Sequence, residues 1–359
     1  MNKIKKFLFF SFFVLVILEI FSFFIYKTNL LEISHKPEIY MNKSFVSNNK
    51  WWTEENIWGP WHKKNSKTRQ IKSCYNIIYE ANEIGARDES FNLNSINDII
   101  LIGDSFAEGY GVNYDDTSQK YIENFTGFNV LNFGVSKNFG PVQYYIIYDK
   151  FAKNYKHNKL IIYFLPDNDF GENDYSNWKG SYRFRPYYKK INDNFYETFI
   201  PNKSIKNYSS FTKKIKIKLS EFLWSSNLFI NLNYQYKIYR STKKNINNDF
   251  SAYFDTKLEQ QKAAIFFLDK IIDKSKAKVF LVSIPRITDF KKYQNNPNVN
   301  KTYWNNYFSS KDLNNTNFKF IDLIKFKPKL LNEIFLECDG HWSPKGNLWA
   351  AEIISSFIK

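Results

Sequence analysis

The 359-residue sequence predicts an α/β protein with a parallel central sheet and one transmembrane helix. Three observations lead to this prediction. Short, nearly continuous apolar runs recur along the chain, and such runs are typical of strands buried on both faces of a parallel sheet. Amphipathic segments alternate with these runs, as helices do between parallel strands. Finally, the N-terminus carries an apolar stretch long enough to cross a bilayer.

Five apolar runs are the predicted strands, and three longer patterns are the predicted helices. The last helix has a Ser343-Pro344 start, which suits an N-cap followed by the first helical position. Helices between parallel strands give a three-layer α/β/α sandwich with a flavodoxin-like sheet. The strand runs cover 98–103, 128–134, 159–166, 278–285 and 318–323, and the helical patterns cover 140–155, 257–276 and 343–358.

Residues 7–26 supply the roughly 20 apolar residues that a membrane-spanning helix needs. Lys3, Lys5 and Lys6 precede this stretch, so the positive-inside rule places the N-terminus in the cytoplasm. No small-x-small cleavage pattern follows directly, which favours an uncleaved anchor over a signal peptide. The rest of the chain is then extracytoplasmic, which in a Gram-negative cell means periplasmic and attached to the inner membrane. Glu19 lies inside the span, and three interpretations are open. It is a single acid that a very apolar helix tolerates, it is protonated, or it packs against a partner helix.

The sequence divides into an anchor (1–27), a lead-in segment (28–95) and a hydrolase-type domain (96–359). A tryptophan-rich stretch at 51–65 favours packing on the side of the domain over a sugar-stacking surface. Residues from about 170 to 255 interrupt the strand–helix alternation. We interpret them as an insertion over the carboxyl edge of the sheet, serving as a lid or a membrane-facing surface.

Composition narrows the function classes. The chain is 43% hydrophobic and 19% aromatic, so it has material for a core and is not a disordered protein. Its formal net charge of +16 raises the possibility of nucleic-acid binding. The lysines are dispersed, however, and no nucleic-acid motif appears. We therefore expect no nucleic-acid partner and interpret the charge as a basic face near anionic lipid.

Polar residues follow the predicted strands at the edge where sites form in open α/β sheets. Ser105, Gly134 and Asn168 come after the first, second and third strands. Asp339 and His341 come after the last strand, just before the final helix. Because the carboxyl ends of parallel strands share one edge, we expect these five residues to converge.

These residue types suit nucleophilic catalysis. The Ser105 hydroxyl is a weak nucleophile that needs a base, for which His341 is the candidate, with Asp339 to orient its ring. The backbone N–H groups of Ser105 and Gly134 and the side-chain amide of Asn168 are the candidate oxyanion donors. Each motif alone is more typical of a turn. Their joint occurrence, in this order along the predicted strands, is what favours catalysis.

The ordered set resembles the SGNH hydrolase superfamily, also called GDSL-type esterases, over roughly residues 98–356 without the insertion. The segment 79–88 is similar to membrane-anchored bacterial members. The resemblance implies a serine hydrolase acting on ester bonds. It is carried by Gly103-Asp104-Ser105, Gly134, Asn168-Asp169, Asp339 and His341.

Two departures from the family pattern bear on function. Only Gly340 separates the acid from the histidine, where the family usually has two residues. Asp-x-His-Trp variants resemble the branch that acts on O-acetyl groups of bacterial exopolysaccharide, which makes acyl transfer an option. We expect an O-acyl carbohydrate or another small ester as substrate. Transfer of the acyl group to a surface polysaccharide is an alternative, as is a non-catalytic glycan-binding or assembly protein. The second departure is Pro166-Asp167 in place of the usual glycine before Asn168.

The two cysteines, Cys74 and Cys338, permit a single intramolecular disulfide in an oxidising compartment. Such a bond would tie the lead-in segment to the loop that carries Asp339; two buried free thiols are the alternative. No metal-ligand cluster, P-loop or dinucleotide fingerprint is present, so we expect neither a metal nor a cofactor.

Overall fold

The computed structural model describes residues 3–28, 30–31, 51–72, 74–91, 98–178, 184–201, 215, 219–220, 222–245, 251–295 and 302–359. Parts of the lead-in segment and of the insertion, among them 32–50 and 202–214, lie outside the described residues.

The described strands are β1 (Trp52–Glu55), β2 (Gly59–His62), β3 (Lys67–Lys72), β4 (Tyr75–Glu80), β5 (Ile99–Ile102), β6 (Val130–Asn132), β7 (Lys159–Phe164), β8 (Tyr187–Asn192), β9 (Phe195–Phe199), β10 (Lys278–Ser283) and β11 (Phe318–Asp322).

The described α-helices are α1 (Lys3–Thr28), α2 (Ser105–Glu108), α3 (Ser118–Thr126), α4 (Pro141–Lys150), α5 (Pro166–Glu172), α6 (Trp224–Asn245), α7 (Ala252–Asp255), α8 (Leu258–Lys274), α9 (Ile287–Asn295), α10 (Tyr303–Asn314) and α11 (Pro344–Ile358). Short 3-10 helices cover Tyr114–Asp116, Ala152–Asn154, Tyr175–Trp178, Leu323–Lys325 and Leu331–Ile334.

A five-stranded sheet forms the centre of the protein, in the order β11-β10-β7-β5-β6. Each neighbouring pair is parallel. All four residues of β5 are fully buried, as expected for a central strand covered on both faces. The helices pack in two groups. In the first, α3 packs against α11; in the second, α8 packs against both α4 and α10. The predicted α/β fold, with all five apolar runs as strands of one parallel sheet, is confirmed.

The lead-in segment forms two antiparallel hairpins, β1–β2 and β3–β4. Trp51 and Trp61 are buried, and Trp58 stacks on Phe151 of the α/β domain with ring centroids 5.6 Å apart. The indole N–H of Trp61 donates to the carbonyl of Ile84 at 2.8 Å. These tryptophans therefore pack against the domain, as the first of the two interpretations expected.

The start of the insertion is fixed to loops at the carboxyl end of the sheet. The fully buried Arg185 pairs with Glu172 of α5 at 2.5 Å and donates to the carbonyl of Asn138, which follows β6. The β8–β9 hairpin then contacts α8, where the Tyr196 hydroxyl donates to Glu259 at 2.8 Å. Buried ion pairing thus holds this part of the insertion on the domain.

Helix α1 is the one helix among the described residues that is long and apolar enough to cross a membrane. It packs against α6 of the insertion.

Candidate active site

Ser105 stands at the first position of α2, and only Gly103 and Asp104 separate it from strand β5. Asp104 is the N-cap of this short helix, and its carboxylate accepts the N–H of Phe106 at 2.9 Å. A side chain at Gly103 would place its Cβ 2.8 Å from the Cβ atoms of Ala107 and Tyr163. Glycine is therefore required for the close approach that presents Ser105 at the sheet edge.

The structure brings together three of the residues selected from the sequence. His341 Nε2 lies 2.8 Å from Ser105 Oγ, across 236 positions of sequence. His341 Nδ1 is hydrogen-bonded to the Asp339 carboxylate, whose side chain is 5% exposed. A carboxylate only accepts hydrogen bonds, so the proton must reside on Nδ1. The lone pair of Nε2 is then directed at the serine hydroxyl, as removal of its proton requires.

The spacing of one residue between acid and base is made possible by Gly340. Its φ of +75° lies in the left-handed region that favours glycine. The loop is closed on itself because the Leu336 amide donates to the His341 carbonyl at 2.7 Å. Because of this tight turn, the Asp339 carboxylate reaches His341 Nδ1 with a single residue between them.

Two aromatic rings flank the imidazole. The centroids of the Phe106 and Tyr110 rings lie 5.1 and 4.6 Å from that of His341. Packing on these rings restricts rotation of the histidine side chain, which stays 16% exposed. The base is therefore held in place yet open to solvent.

Cys74 and Cys338 are joined in a disulfide, with an S–S distance of 2.03 Å. Cys338 immediately precedes Asp339, and Cys74 lies between strands β3 and β4. The bond therefore attaches the loop carrying the acid and the base to a hairpin of the lead-in segment.

The three candidate oxyanion donors have different surroundings. The Ser105 amide meets no acceptor among the described residues. The Gly134 amide donates to the side-chain oxygen of Asn132 at 2.8 Å and is thus already engaged. Asn168 donates from Nδ2 to Asp104 at 3.2 Å, so the structure places it beside the nucleophile's helix. Its amide group has a second hydrogen to give.

Gly134 has a steric role as well. A Cβ at this position would lie 2.4 Å from the backbone nitrogen of Glu108 in α2. Only glycine allows the loop after β6 to approach the nucleophile's helix this closely.

Buried carboxylates lie behind the nucleophile. Burial raises the pKa of Asp104, an effect offset in part by the hydrogen bond from Phe106 and the charge of His341. Burial also raises the pKa of Asp169 well above its usual range, and the nearby Asp104 adds to the shift. Asp169 accepts hydrogen bonds from the Tyr144 hydroxyl at 2.9 Å and from the Leu165 amide at 2.9 Å. It therefore fixes the turn that presents Asn168.

Arg286 is a site residue that sequence reasoning missed. Its Nη1 donates to the Gly340 carbonyl at 3.0 Å, and its Nε lies 3.3 Å from Asp167. The signal available in the sequence was its position just beyond the predicted strand at 278–285, at the same sheet edge as the other candidates.

No group of three histidine, cysteine or acidic residues that could hold a metal ion occurs within the part of the chain that the structure describes.

No protein-family model matches the chain, and no curated protein sequence matches it. Several solved structures are similar to it. A member of the lipolytic G-D-S-L family from Veillonella parvula is 12% identical, with a TM-score of 0.38 over 72% of this chain and 96% of that one. A lipase/acylhydrolase from Enterococcus faecalis is 12% identical, with a TM-score of 0.39 over 73% and 95%. A GDSL-like lipase from Bacteroides thetaiotaomicron is 10% identical, with a TM-score of 0.34 over 73% and 87%.

Two of these three proteins carry in their descriptions the family that the sequence resembles. Because the identities are 10–12% and the TM-scores lie below 0.4, the likeness carries no weight for the chemistry of this chain. The chemistry proposed below rests on the geometry of Ser105, His341 and Asp339.

Proposed function

We propose that this protein is a membrane-anchored, extracytoplasmic serine esterase that hydrolyses an acyl ester, an O-acetyl group on a carbohydrate in particular. The observation that carries the proposal is the unbroken hydrogen-bond chain from Ser105 through His341 to Asp339. A base within 2.8 Å of a serine hydroxyl, itself oriented by a buried acid, is the arrangement that activates serine for acyl transfer.

The first half-reaction forms an acyl-enzyme. Ser105 Oγ attacks the ester carbonyl carbon while His341 Nε2 takes the hydroxyl proton. Asp339 stabilises the resulting imidazolium. The negative charge on the carbonyl oxygen is stabilised by the Ser105 amide and the Asn168 side chain. Collapse of this intermediate breaks the ester bond, and the leaving alcohol takes the proton from His341.

The second half-reaction restores the enzyme. Water attacks the acyl carbon as His341 Nε2 removes its proton. The Ser105 ester bond then breaks, Oγ recovers a proton from the imidazolium, and the free acid leaves. The 16% exposure of the imidazole is compatible with access of water to this step.

The proposed location rests on three features. Helix α1 is apolar enough to span a bilayer, and lysines precede its apolar core. The Cys74–Cys338 disulfide suits an oxidising compartment outside the cytoplasm.

The carbohydrate substrate is supported by the Asp339-Gly340-His341-Trp342 sequence, through its resemblance to the exopolysaccharide branch.

The test is labelling of the full-length protein with a fluorophosphonate probe, with Ser105→Ala as the control. We expect labelling of the folded wild type and none of the variant. Absence of labelling of the folded wild type would favour a non-catalytic glycan-binding protein. Where labelling occurs, the products from an acetylated oligosaccharide, with and without an acceptor sugar, separate hydrolysis from acyl transfer.

A further inference from the structure

The carboxylate of Glu19, inside the apolar helix α1, binds the start of helix α6. It accepts hydrogen bonds from the backbone N–H of Trp224 at 2.5 Å and of Ser225 at 3.1 Å. It also accepts the Ser225 hydroxyl at 2.7 Å. The first N–H groups of a helix have no partner within it and carry its positive dipole end, so a carboxylate suits them. Each group thereby satisfies the other.

Apolar and aromatic packing surrounds this contact. The Trp224 ring lies edge-on to Phe23 and Tyr26, with centroids 5.4 and 4.6 Å away. The buried residues of α1 lie near its C-terminal end, and those of α6 lie in about its first two turns. The buried residues are Ser22, Ile25 and Tyr26 of α1, and Trp224, Asn227, Leu228 and Asn231 of α6.

The position of Glu19 sets the depth of this contact if α1 spans the bilayer. Glu19 precedes Tyr26, the last residue of the apolar stretch, by seven positions, which corresponds to about 10 Å along a helix. The first turn of α6 would therefore lie within the hydrocarbon region of the outer leaflet. Unsatisfied N–H groups and a lone carboxylate are each costly there, and the observed bonds remove both costs.

The rest of the segment has a polarity gradient that suits this depth. Apolar or aromatic residues with large exposed fractions occur just before α6 and in the helix up to Tyr236. They are Leu219 (46%), Phe222 (50%), Phe229 (66%), Leu232 (46%) and Tyr236 (60%). The second half of the helix carries Lys237, Arg240, Lys243 and Lys244 in its sequence. From Trp224 to Arg240 a helix rises about 24 Å, enough to pass from hydrocarbon to headgroups.

The segment that contains α6 is attached to the α/β domain on both sides. Strand β9, which precedes it, packs against α8, and Ser251, which follows it, donates its hydroxyl to Asp289. From these observations we propose that α6, with Leu219 and Phe222, is a second membrane element that inserts in the outer leaflet of the bilayer beside α1. The inference rests on the proposed anchoring by α1. It would attach the catalytic domain to the membrane at two places, close to esters that lie at its surface.

The test uses the full-length protein in vesicles of phosphatidylethanolamine and phosphatidylglycerol, without reductant so that the disulfide stays closed. A fluorophore is attached at Leu232→Cys, at Leu15→Cys in α1, or at Leu313→Cys, whose leucine is 86% exposed on α10. Quenching by acyl-chain nitroxide lipid is compared with quenching by iodide in water. We expect lipid quenching at positions 232 and 15, and iodide quenching alone at 313.

Lipid quenching at 15 with iodide quenching at 232 would overturn the docking of α6 and leave the anchor. Iodide quenching at both positions would overturn the anchor and the docking together. Fluorophosphonate labelling of Ser105 in the same samples reports separately on the proposed chemistry. Glu19→Leu should increase iodide access at position 232 whereas Glu19→Gln, which still accepts a hydrogen bond, should change it less. Unchanged iodide access in Glu19→Leu would overturn the role of Glu19 in holding α6.

Discussion

Arg286 binds the carbonyl oxygen of Gly340, donating from Nη1 across 3.0 Å to the residue between the catalytic acid and base of the proposed triad. The same guanidinium faces Asp167, after strand β7, and lies 5.2 Å from the centroid of the Phe106 ring. One side chain thus links the first turn of α5 and the loop after β10 to the loop before α11. Arg286 acts on the loop through the main-chain oxygen of Gly340, so we regard it as a positioning residue.

Replacing Arg286 with glutamine should lower kcat by roughly 10–100-fold and leave KM nearly unchanged, since a hydrogen bond from a charged donor contributes about 1.5–3 kcal/mol. Arg286→Lys should recover part of the loss. The measurement is steady-state hydrolysis of a soluble acetyl ester. A rise in KM at constant kcat would instead show that Arg286 binds the substrate.

Asp339→Asn should reduce kcat by roughly 10³–10⁴-fold, because an amide no longer holds the imidazole proton on Nδ1. The single-turnover rate of Ser105 acylation measures the effect directly. The thermal midpoint of the variant serves as a control for folding. Activity within tenfold of the wild type would contradict the orienting role of Asp339.

Cys74→Ser combined with Cys338→Ser should lower the free energy of unfolding by roughly 2–4 kcal/mol. It should also lower kcat, because the loop carrying Asp339 loses its attachment to the β3–β4 hairpin. Urea unfolding and ester hydrolysis measure the two effects. Reductant should slow the wild type and leave the double variant unchanged, so an equal response of both would contradict the anchoring role.

The sheet and the triad could be predicted because their signals are local. Buried parallel strands must be apolar throughout, and the structure forms strands within all five runs found in the sequence. Ser343 caps α11 as its Ser-Pro start predicted, accepting the Gly346 amide at 3.2 Å. The convergence of Ser105 with His341 follows from strand ends that share one edge.

Features that depend on side-chain orientation or on distant partners could not be predicted. The bond from the Gly134 amide to the side chain of Asn132, at the end of β6, depends on how that side chain is oriented. The partner of Glu19 lies 205 positions away, and packing against another helix was only one of three open interpretations. Arg286 was missed because its hydrogen bond reaches a main-chain carbonyl, which leaves no residue-type signal.

Asn168→Ala should lower kcat by roughly 10²–10³-fold, since one oxyanion donor contributes about 3–4 kcal/mol to the barrier. Asn177→Ala is a matched control, because Asn177 lies in the same region and its side-chain amide donates to the Gly171 carbonyl at 3.2 Å. Hydrolysis of the soluble acetyl ester measures both variants. A kcat within threefold of the wild type for Asn168→Ala would exclude its amide as a donor.

Asp289 should make the stability of the protein depend on pH. Burial, the largest effect, raises its pKa to about 6, although the Ser251 hydroxyl and the Arg286 amide lower it. The unfolded chain has an ordinary aspartate pKa of about 3.8. Between these values the folded state binds more protons than the unfolded state, so stability falls as pH rises from about 4 to 6. The loss is on the order of 2–3 kcal/mol at most.

Asp289→Asn cannot titrate, so it should flatten this slope. The measurement is the free energy of unfolding in urea for both proteins at several pH values between about 4 and 8. Asp88, whose pKa burial raises to about 7, adds a slope of the same sign in both proteins and cancels in the difference between them. The difference should change between about pH 4 and 6 and be constant above that window. A difference that is constant throughout would mean that Asp289 stays ionised in the folded protein, held by its donors in spite of burial.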